Sequence, residues 1–383
     1  MGYNNSMRIF ISAVETSGDL HASRLAAALK KAAPHRLKLC GFGSEALAAE
    51  GMEILADLTS RSTVGLLEPL RHLPAYFRAL SRCKKYLRKN KIDLFLAVDG
   101  QGFNLPAAQY AKSLGIPVVY YISPQEWLWG TETAGKKVVE ICDLIISIFP
   151  EEQRFYRKLG GHSIYNGHPL SEIVARTKVS GKGFRRKHGL AQDKPLIALF
   201  PGSRRQELAN LLPAFKQIVR LSRGREQFVI AAASKYCNQR LCREIKDIPV
   251  VYQENYALMN AADIILSSTG TITLEAALFG TPIIATYKFP RISYWLIKKI
   301  FAGKIPKYKA LPNMLTGKEI MPERIQQGVT APELYALLQK TLSNKKKLQS
   351  IKKEFQKLSR KLSAPNILDK NAKAVLAILE RAR

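Results

Sequence analysis

The sequence predicts an α/β protein made of two doubly wound parallel sheets that face a central cleft. Three observations carry this. Short apolar runs alternate with helix-period segments almost throughout the chain. The rhythm breaks once, around 171–190, and then restarts. Each of the two series has a Gly-rich turn after its first strand.

In the first series, strands fit 8–13, 37–41, 93–98, 117–121 and 144–148, with helices such as 20–31 and 107–114 between them. The Ser-Gly-Lys-Gly and Arg-Arg-Lys stretches within 171–190 read as an exposed connection. The second series places strands at 196–200, 227–232, 263–266 and 282–286. A basic helix is expected over 344–361 and a closing helix over 366–381. The expected domains are 1–175 and 190–362, with 363–383 packing back on the first. Ligands of such sheets sit at the carboxyl ends of the strands, so the turns there carry the candidate residues.

The chain has 383 residues, 46% of them apolar, which suits two or three ordinary globular domains. No apolar run approaches the roughly 18–20 residues of a membrane span. Five cysteines without paired short spacing predict reduced thiols in a cytosolic protein. Sixty basic residues against 30 acidic ones leave a formal net charge of +30. That excess calls for an anionic partner: nucleic acid, an anionic membrane or phosphorylated substrates.

Four turns stand out. In ISAVETSGDL (11–20) a strand ends, Gly18 permits a turn, and Ser17 or Asp19 caps the next helix. The alternative is an anion on the free amides of that helix start. Glu15 lies at the strand end, where a buried carboxylate needs a partner. In LFLAVDGQGFN (94–104) Asp99 ends an apolar strand, as a turn former or as a base or orienter for an acceptor hydroxyl; Asn104 closes the stretch. In LIALFPGSRRQE (196–207) Ser203 and Gln206 have capping-box spacing. Arg204 in a first helical turn opposes the helix dipole, unless an anion is held between it and the helix start. In STGTITLEAALFGTP (268–282) Gly270 and Thr271 offer amides and a hydroxyl to a phosphate. Glu275, one turn on, repels a phosphate but accepts both hydrogen bonds of a ribose diol, so the stretch favours a nucleoside diphosphate. Without Asp-x-Asp or a histidine cluster, neither a metal nor a cofactor is expected.

Two basic amphipathic stretches read as contacts with an anionic membrane, or as core-facing stripes with solvated backs. One is 74–91, with Phe77, Arg78 and Leu80; the other is 288–309, with Tyr294, Trp295, Lys298 and Lys299. Basic–aromatic interleaving also suits single-stranded nucleic acid, but no nucleic-acid motif accompanies it, and no nucleic-acid partner is expected.

The ordered set VETSGD (14–19), DGQGFN (99–104), YYISPQEWLW (120–129), NGHPL (166–170), FPGSR (200–204), STGTITLEA (268–276) and LPNMLTGKEIMPERIQ (312–327) resembles the bacterial lipid-A-disaccharide synthase family. The resemblance covers nearly the whole chain. It implies a GT-B fold of two Rossmann-like domains and an inverting, metal-free glycosyl transfer. The donor would be UDP-diacylglucosamine and the acceptor diacylglucosamine 1-phosphate, at the cytoplasmic face of the inner membrane. On this reading Asp99, with Glu15, serves the acceptor hydroxyl. Ser17, Gly18, Asp19 and Asn104 shape the acceptor side. Ser203, Arg204, Gly270 and Thr271 hold the diphosphate, Glu275 the ribose, and Asn313 is a further donor-site residue. Val14 and Gly102 depart from the family pattern, which usually has Gly and a second Asp there. Other UDP-sugar enzymes of this fold (a peptidoglycan lipid-precursor transferase, a UDP-sugar epimerase) and a non-catalytic basic binding protein stay open as alternatives. The oligomeric state is not legible in the sequence.

Overall fold

The computed structural model describes residues 6–33, 37–59, 73–288 and 307–381. They divide into two compact units. The first holds 6–33, 37–59, 73–172 and 363–381; the second holds 173–288 and 307–362.

The first unit is built on a parallel sheet of β1 (Met7–Ala13), β2 (Leu37–Phe42), β3 (Glu53–Ala56), β4 (Leu94–Val98), β5 (Val118–Tyr121), β6 (Leu144–Ser147) and β7 (Ser163–Tyr165). The spatial order is β3-β2-β1-β4-β5-β6-β7. The second unit's parallel sheet has β8 (Leu196–Phe200), β9 (Gln227–Ala232), β10 (Val250–Tyr252), β11 (Ile264–Ser268), β12 (Ile283–Tyr287) and β13 (Glu323–Ile325). Its order is β10-β9-β8-β11-β12-β13. In each sheet the winding reverses between the first and fourth strands. The crevices therefore open after β1 and β4 in one unit and after β8 and β11 in the other. The doubly wound α/β class expected from the sequence is the one found.

The strands that the apolar runs did not announce are β3, β7, β10 and β13. All are sheet edges of three or four residues and are half-exposed along much of their length. A strand covered on only part of its surface needs no continuous apolar run.

Buried β4, Leu-Phe-Leu-Ala-Val, has apolar side chains on both faces. Phe10 stacks on Phe95 at 5.4 Å and meets Phe42 edge-on at 5.6 Å, forming the aromatic centre of the first core. The helix after β4 runs Gln101–Ser113, starting ahead of Pro106 rather than after it. Proline supplies no amide to the carbonyl four residues back. That carbonyl, on Gly102, accepts instead from the Tyr76 hydroxyl at 2.7 Å.

Tyr76 belongs to the helix Leu73–Lys89, which covers this core with Ala79, Cys83 and Leu87 buried and Leu80 packed beside them. The stripe through Leu80, Cys83 and Leu87 thus follows the core-facing reading, and Leu80 is corrected from a membrane contact to a packing residue. Burial pushes the Cys83 thiol up to about 12, so it stays a protonated packing group. Phe77 is different: it is 60% exposed, next to exposed Arg78. Tyr294, Trp295, Lys298 and Lys299 lie outside the described residues.

The closing helix, Ile367–Arg381, belongs to the first unit and packs on the helix Thr16–Ala32. Asn166 donates to Asn371 at 2.9 Å and the Leu368 amide to Glu172 at 2.8 Å. Gly167 (φ +111°) is required here, because a Cβ would lie 2.7 Å from the Ile367 side chain. The basic helix Lys345–Leu362 stays in the second unit, burying Ile351, Phe355, Leu358 and Leu362 and exposing its lysines. Among the described residues no helix is long and apolar enough to cross a membrane. None of their His, Cys, Asp and Glu side chains group in threes as a metal would need. All five cysteines are free thiols.

Candidate active site

In the first unit, β1 passes almost directly into the helix Thr16–Ala32, with Glu15 as the extended N-cap. Neither Ser17 nor Asp19 caps this helix, contrary to the spacing argument; both already lie inside it. Gly18 has ordinary helical backbone and makes no turn. It is needed for closeness: a Cβ would sit 3.3 Å from both the Asp99 Cβ and the Val98 carbonyl oxygen. Asp19, 2% exposed, accepts from the Ser44 amide at 2.7 Å, the Ser44 hydroxyl at 2.5 Å and the Ala46 amide at 3.3 Å. It therefore anchors the turn after β2.

Asp99 follows β4 with φ +53°, and Gly100 follows with φ +54°. Two successive left-handed residues lift the Asp99 side chain off the strand end. Aspartate tolerates this region better than most residues, yet it is still an uncommon conformation. Neighbouring groups hold it. The Asp99 amide donates to the Tyr121 carbonyl at 3.1 Å. Its carbonyl accepts from the Tyr120 hydroxyl at 2.9 Å and the Asn104 side-chain nitrogen at 2.7 Å. Its carboxylate accepts from the Ser17 hydroxyl at 3.2 Å and the Gly100 amide at 2.8 Å.

Asn104 is fully buried and also spans Ser12 and Val98. It ties the β1 and β4 ends together, so its part is positioning rather than ligand contact. Burial first, and the Asp99 charge second, drive the Tyr120 phenol well above its ordinary value, so this hydroxyl remains a donor. Tyr120 lies in an expected strand and heads the YYISPQEWLW stretch, but it was not singled out for a role from the sequence. Nor was Glu126, a buried carboxylate that accepts from the Gln101 side chain at the start of the Gln101–Ser113 helix. A Cβ on Gly130 would collide with Glu126.

In the second unit, the loop after β8 leads into the helix Arg205–Ser222. The expected Ser203–Gln206 capping box does not form. Arg204 is the N-cap, and Glu207, one turn on, accepts from its backbone amide. Glu207 accepts from the Ser203 amide at 3.0 Å, the Arg204 amide at 3.4 Å and the Arg204 guanidinium at 3.2 Å. The anion inferred between Arg204 and the helix start is therefore present within the protein itself. Arg204 keeps 27% of its side chain exposed. Beside it, Arg205 lies over the Tyr236 ring at 4.3 Å, and the buried Cys237 thiol approaches the Ser203 carbonyl at 3.6 Å.

After β11, Gly270 (φ +123°) is the N-cap of the helix Thr271–Phe279. Among the described residues nothing lies within 4 Å of the place a Cβ would take on Gly270. The first amides of a helix have no partner within it and carry its positive dipole end. Glu275 is half-buried, one turn beyond Thr271 on the same face. Asn313 sits differently from its expected donor-site place. It is fully buried; its oxygen accepts from the Ile320 and Met321 amides, and its nitrogen donates to the Met321 carbonyl and Glu323. With its whole amide engaged, it braces the 320–323 turn and has no donor left for a ligand.

Two parallel-sheet units, each with its crevice at the winding reversal, define a GT-B glycosyltransferase-type fold. The UDP-N-acetylglucosamine 2-epimerase of Neisseria meningitidis, solved with its UDP-sugar, is similar with a TM-score of 0.59 over 98% of this chain and 99% of its own. At 13% identity it shows the fold alone. The family model for lipid-A-disaccharide synthetase matches residues 9–378. The chain is 33% identical to the lipid-A-disaccharide synthase of Methylobacillus flagellatus, covering 97% of this chain and 99% of the relative. It is 31% identical to that of Synechocystis sp., covering 97% of each. The chain belongs to the lipid-A-disaccharide synthase family and is a glycosyltransferase of lipid A biosynthesis. The alternative of a non-catalytic binding protein is thereby set aside.

Proposed function

We propose that the protein moves a 2,3-diacylglucosamine from UDP to the 6-hydroxyl of 2,3-diacylglucosamine 1-phosphate, with inversion, at the cytoplasmic face of the inner membrane. The observation that carries the site assignment is a division of labour between the two crevices. One holds a braced carboxylate, Asp99. The other holds the Gly270–Thr271 helix start with Glu275 one turn behind it.

Asp99 takes the proton of the acceptor hydroxyl as its oxygen attacks the anomeric carbon, and the bond to the UDP oxygen breaks. Ser17 orients the Asp99 carboxylate, and Glu15 stands at the same strand-end turn. The negative charge gathering on the departing diphosphate is met by the Gly270–Thr271 helix start and by Arg204. Glu275 accepts from the ribose hydroxyls. Asp19, Gly18, Asn104 and Asn313 act by placing these groups. Exposed Phe77 beside Arg78, the 288–309 segment and the net charge of +30 fit a protein held at an anionic bilayer, where both acylated substrates reside.

The experiment is direct: both lipid substrates, the purified chain and a metal chelator, with disaccharide 1-phosphate and UDP as the expected products. UDP-sugars without acyl chains are expected to be poor donors; equal turnover of these would point to another UDP-sugar enzyme of this fold. Glu275→Gln is expected to weaken UDP binding about tenfold in calorimetry, since a charged acceptor is roughly twice as strong as a neutral one. Unchanged affinity would remove Glu275 from the ribose.

A further inference from the structure

Glu207 engages the loop after β8 at three points. One oxygen takes the Ser203 and Arg204 amides, and the other takes the Arg204 guanidinium. The residue is only 8% exposed. Gly202 (φ +110°) makes room for it: a Cβ there would lie 2.3 Å from Glu207 Oε2 and 2.6 Å from Glu207 Cβ. Two amides and a guanidinium converging on two anionic oxygens is the pattern a phosphate draws from such a loop. Here a carboxylate of the chain itself meets it from the buried side.

We propose that Glu207 is a positioning residue for the donor diphosphate, holding the 203–204 backbone and the Arg204 side chain in their ligand-ready arrangement. This rests on the reading that the second unit binds UDP. The physical reason is twofold. An arginine at a helix N-cap faces the positive end of the dipole, and a neighbouring carboxylate offsets that repulsion. A long side chain also carries rotamer freedom that binding would otherwise have to remove. A guanidinium has five donors, so it can bond Glu207 through one nitrogen and still serve a phosphate.

The test is calorimetry of UDP with the full chain as wild type, Glu207→Gln, Arg204→Ala and the double variant, with a thermal midpoint for each. Glu207→Gln is expected to weaken UDP about tenfold when Arg204 is present, and less than about threefold in the Arg204→Ala background. Equal losses in both backgrounds would overturn the inference, since they would mean that Glu207 does not act through Arg204. So would unchanged affinity in a folded Glu207→Gln. If that variant does not fold, Glu207→Asp carries the same comparison, because it keeps the charge but shortens the reach. A wild type that binds no UDP would overturn the UDP reading and this inference together. A wild type that binds UDP as tightly as its Glu207 variants overturns this inference alone.

Discussion

Asp99→Asn is expected to lower turnover by about 10²–10⁴-fold while the protein stays folded. The substitution is well matched to the question. Asparagine accepts the left-handed backbone as readily as aspartate does, so the φ of +53° at this position need not change. The Tyr120, Tyr121 and Asn104 bonds run to the Asp99 backbone and are untouched. The amide oxygen can still accept from Ser17 or Gly100. What is lost is the ability to take a proton. Turnover is measured with saturating lipid substrates, and folding by thermal midpoint. Near-full turnover in a folded Asp99→Asn would show that Asp99 is not the base.

The second large effect is on stability in acid. His21 and His168 are both buried in the first unit, and burial pushes both imidazoles down to about 3. The Arg24 charge adds to this for His21, and the His21 charge for His168. Their ordinary value is 6.5, so below that pH the unfolded chain binds protons that the folded chain refuses. Their contribution is present above pH 6.5 and is lost as pH falls toward about 3. Each costs about 1.4 kcal/mol per pH unit within that window.

Glu152 has the opposite sign. Burial pushes its carboxyl from 4.5 up to about 7, against hydrogen bonds from Ser123 and the Ile148 and Phe149 amides. Its contribution is present below pH 4.5 and is lost as pH rises through about 7. From these three groups, stability is expected to decline gently between pH 6.5 and 4.5, where Glu152 offsets one histidine, and about twice as steeply below 4.5. Denaturant midpoints against pH would show the break. His168→Asn keeps an acceptor for the Leu170 amide and should halve the steep limb. An unchanged slope would mean that His168 does not titrate as its burial requires.

Much of the candidate site was legible because its residues follow strands whose apolar runs mark where they end. Asp99, Arg204 and Gly270 each lie just beyond such a run, so their place at a carboxyl end could be read directly. What those residues touch could not. Helix spacing offered Ser203–Gln206 as a capping box, but the chain enters its helix one residue later and uses Glu207. Asn313 sits in a family-like motif, yet its amide bonds run to residues seven to ten positions away, inside the fold.

The sequence by itself determined the doubly wound class, every interior strand and the turns at which chemistry collects. Each depends on a local pattern: a mainly apolar run, or a small residue where the backbone must turn. Only the tertiary structure decided the sheet edges, which side chains brace Asp99, and the seating of Arg204 on Glu207. It also decided that the stripe through Cys83 and Leu87 faces a core, while Phe77 does not. Those outcomes depend on what a neighbouring element covers, and periodicity shows that a face is apolar without showing what lies against it.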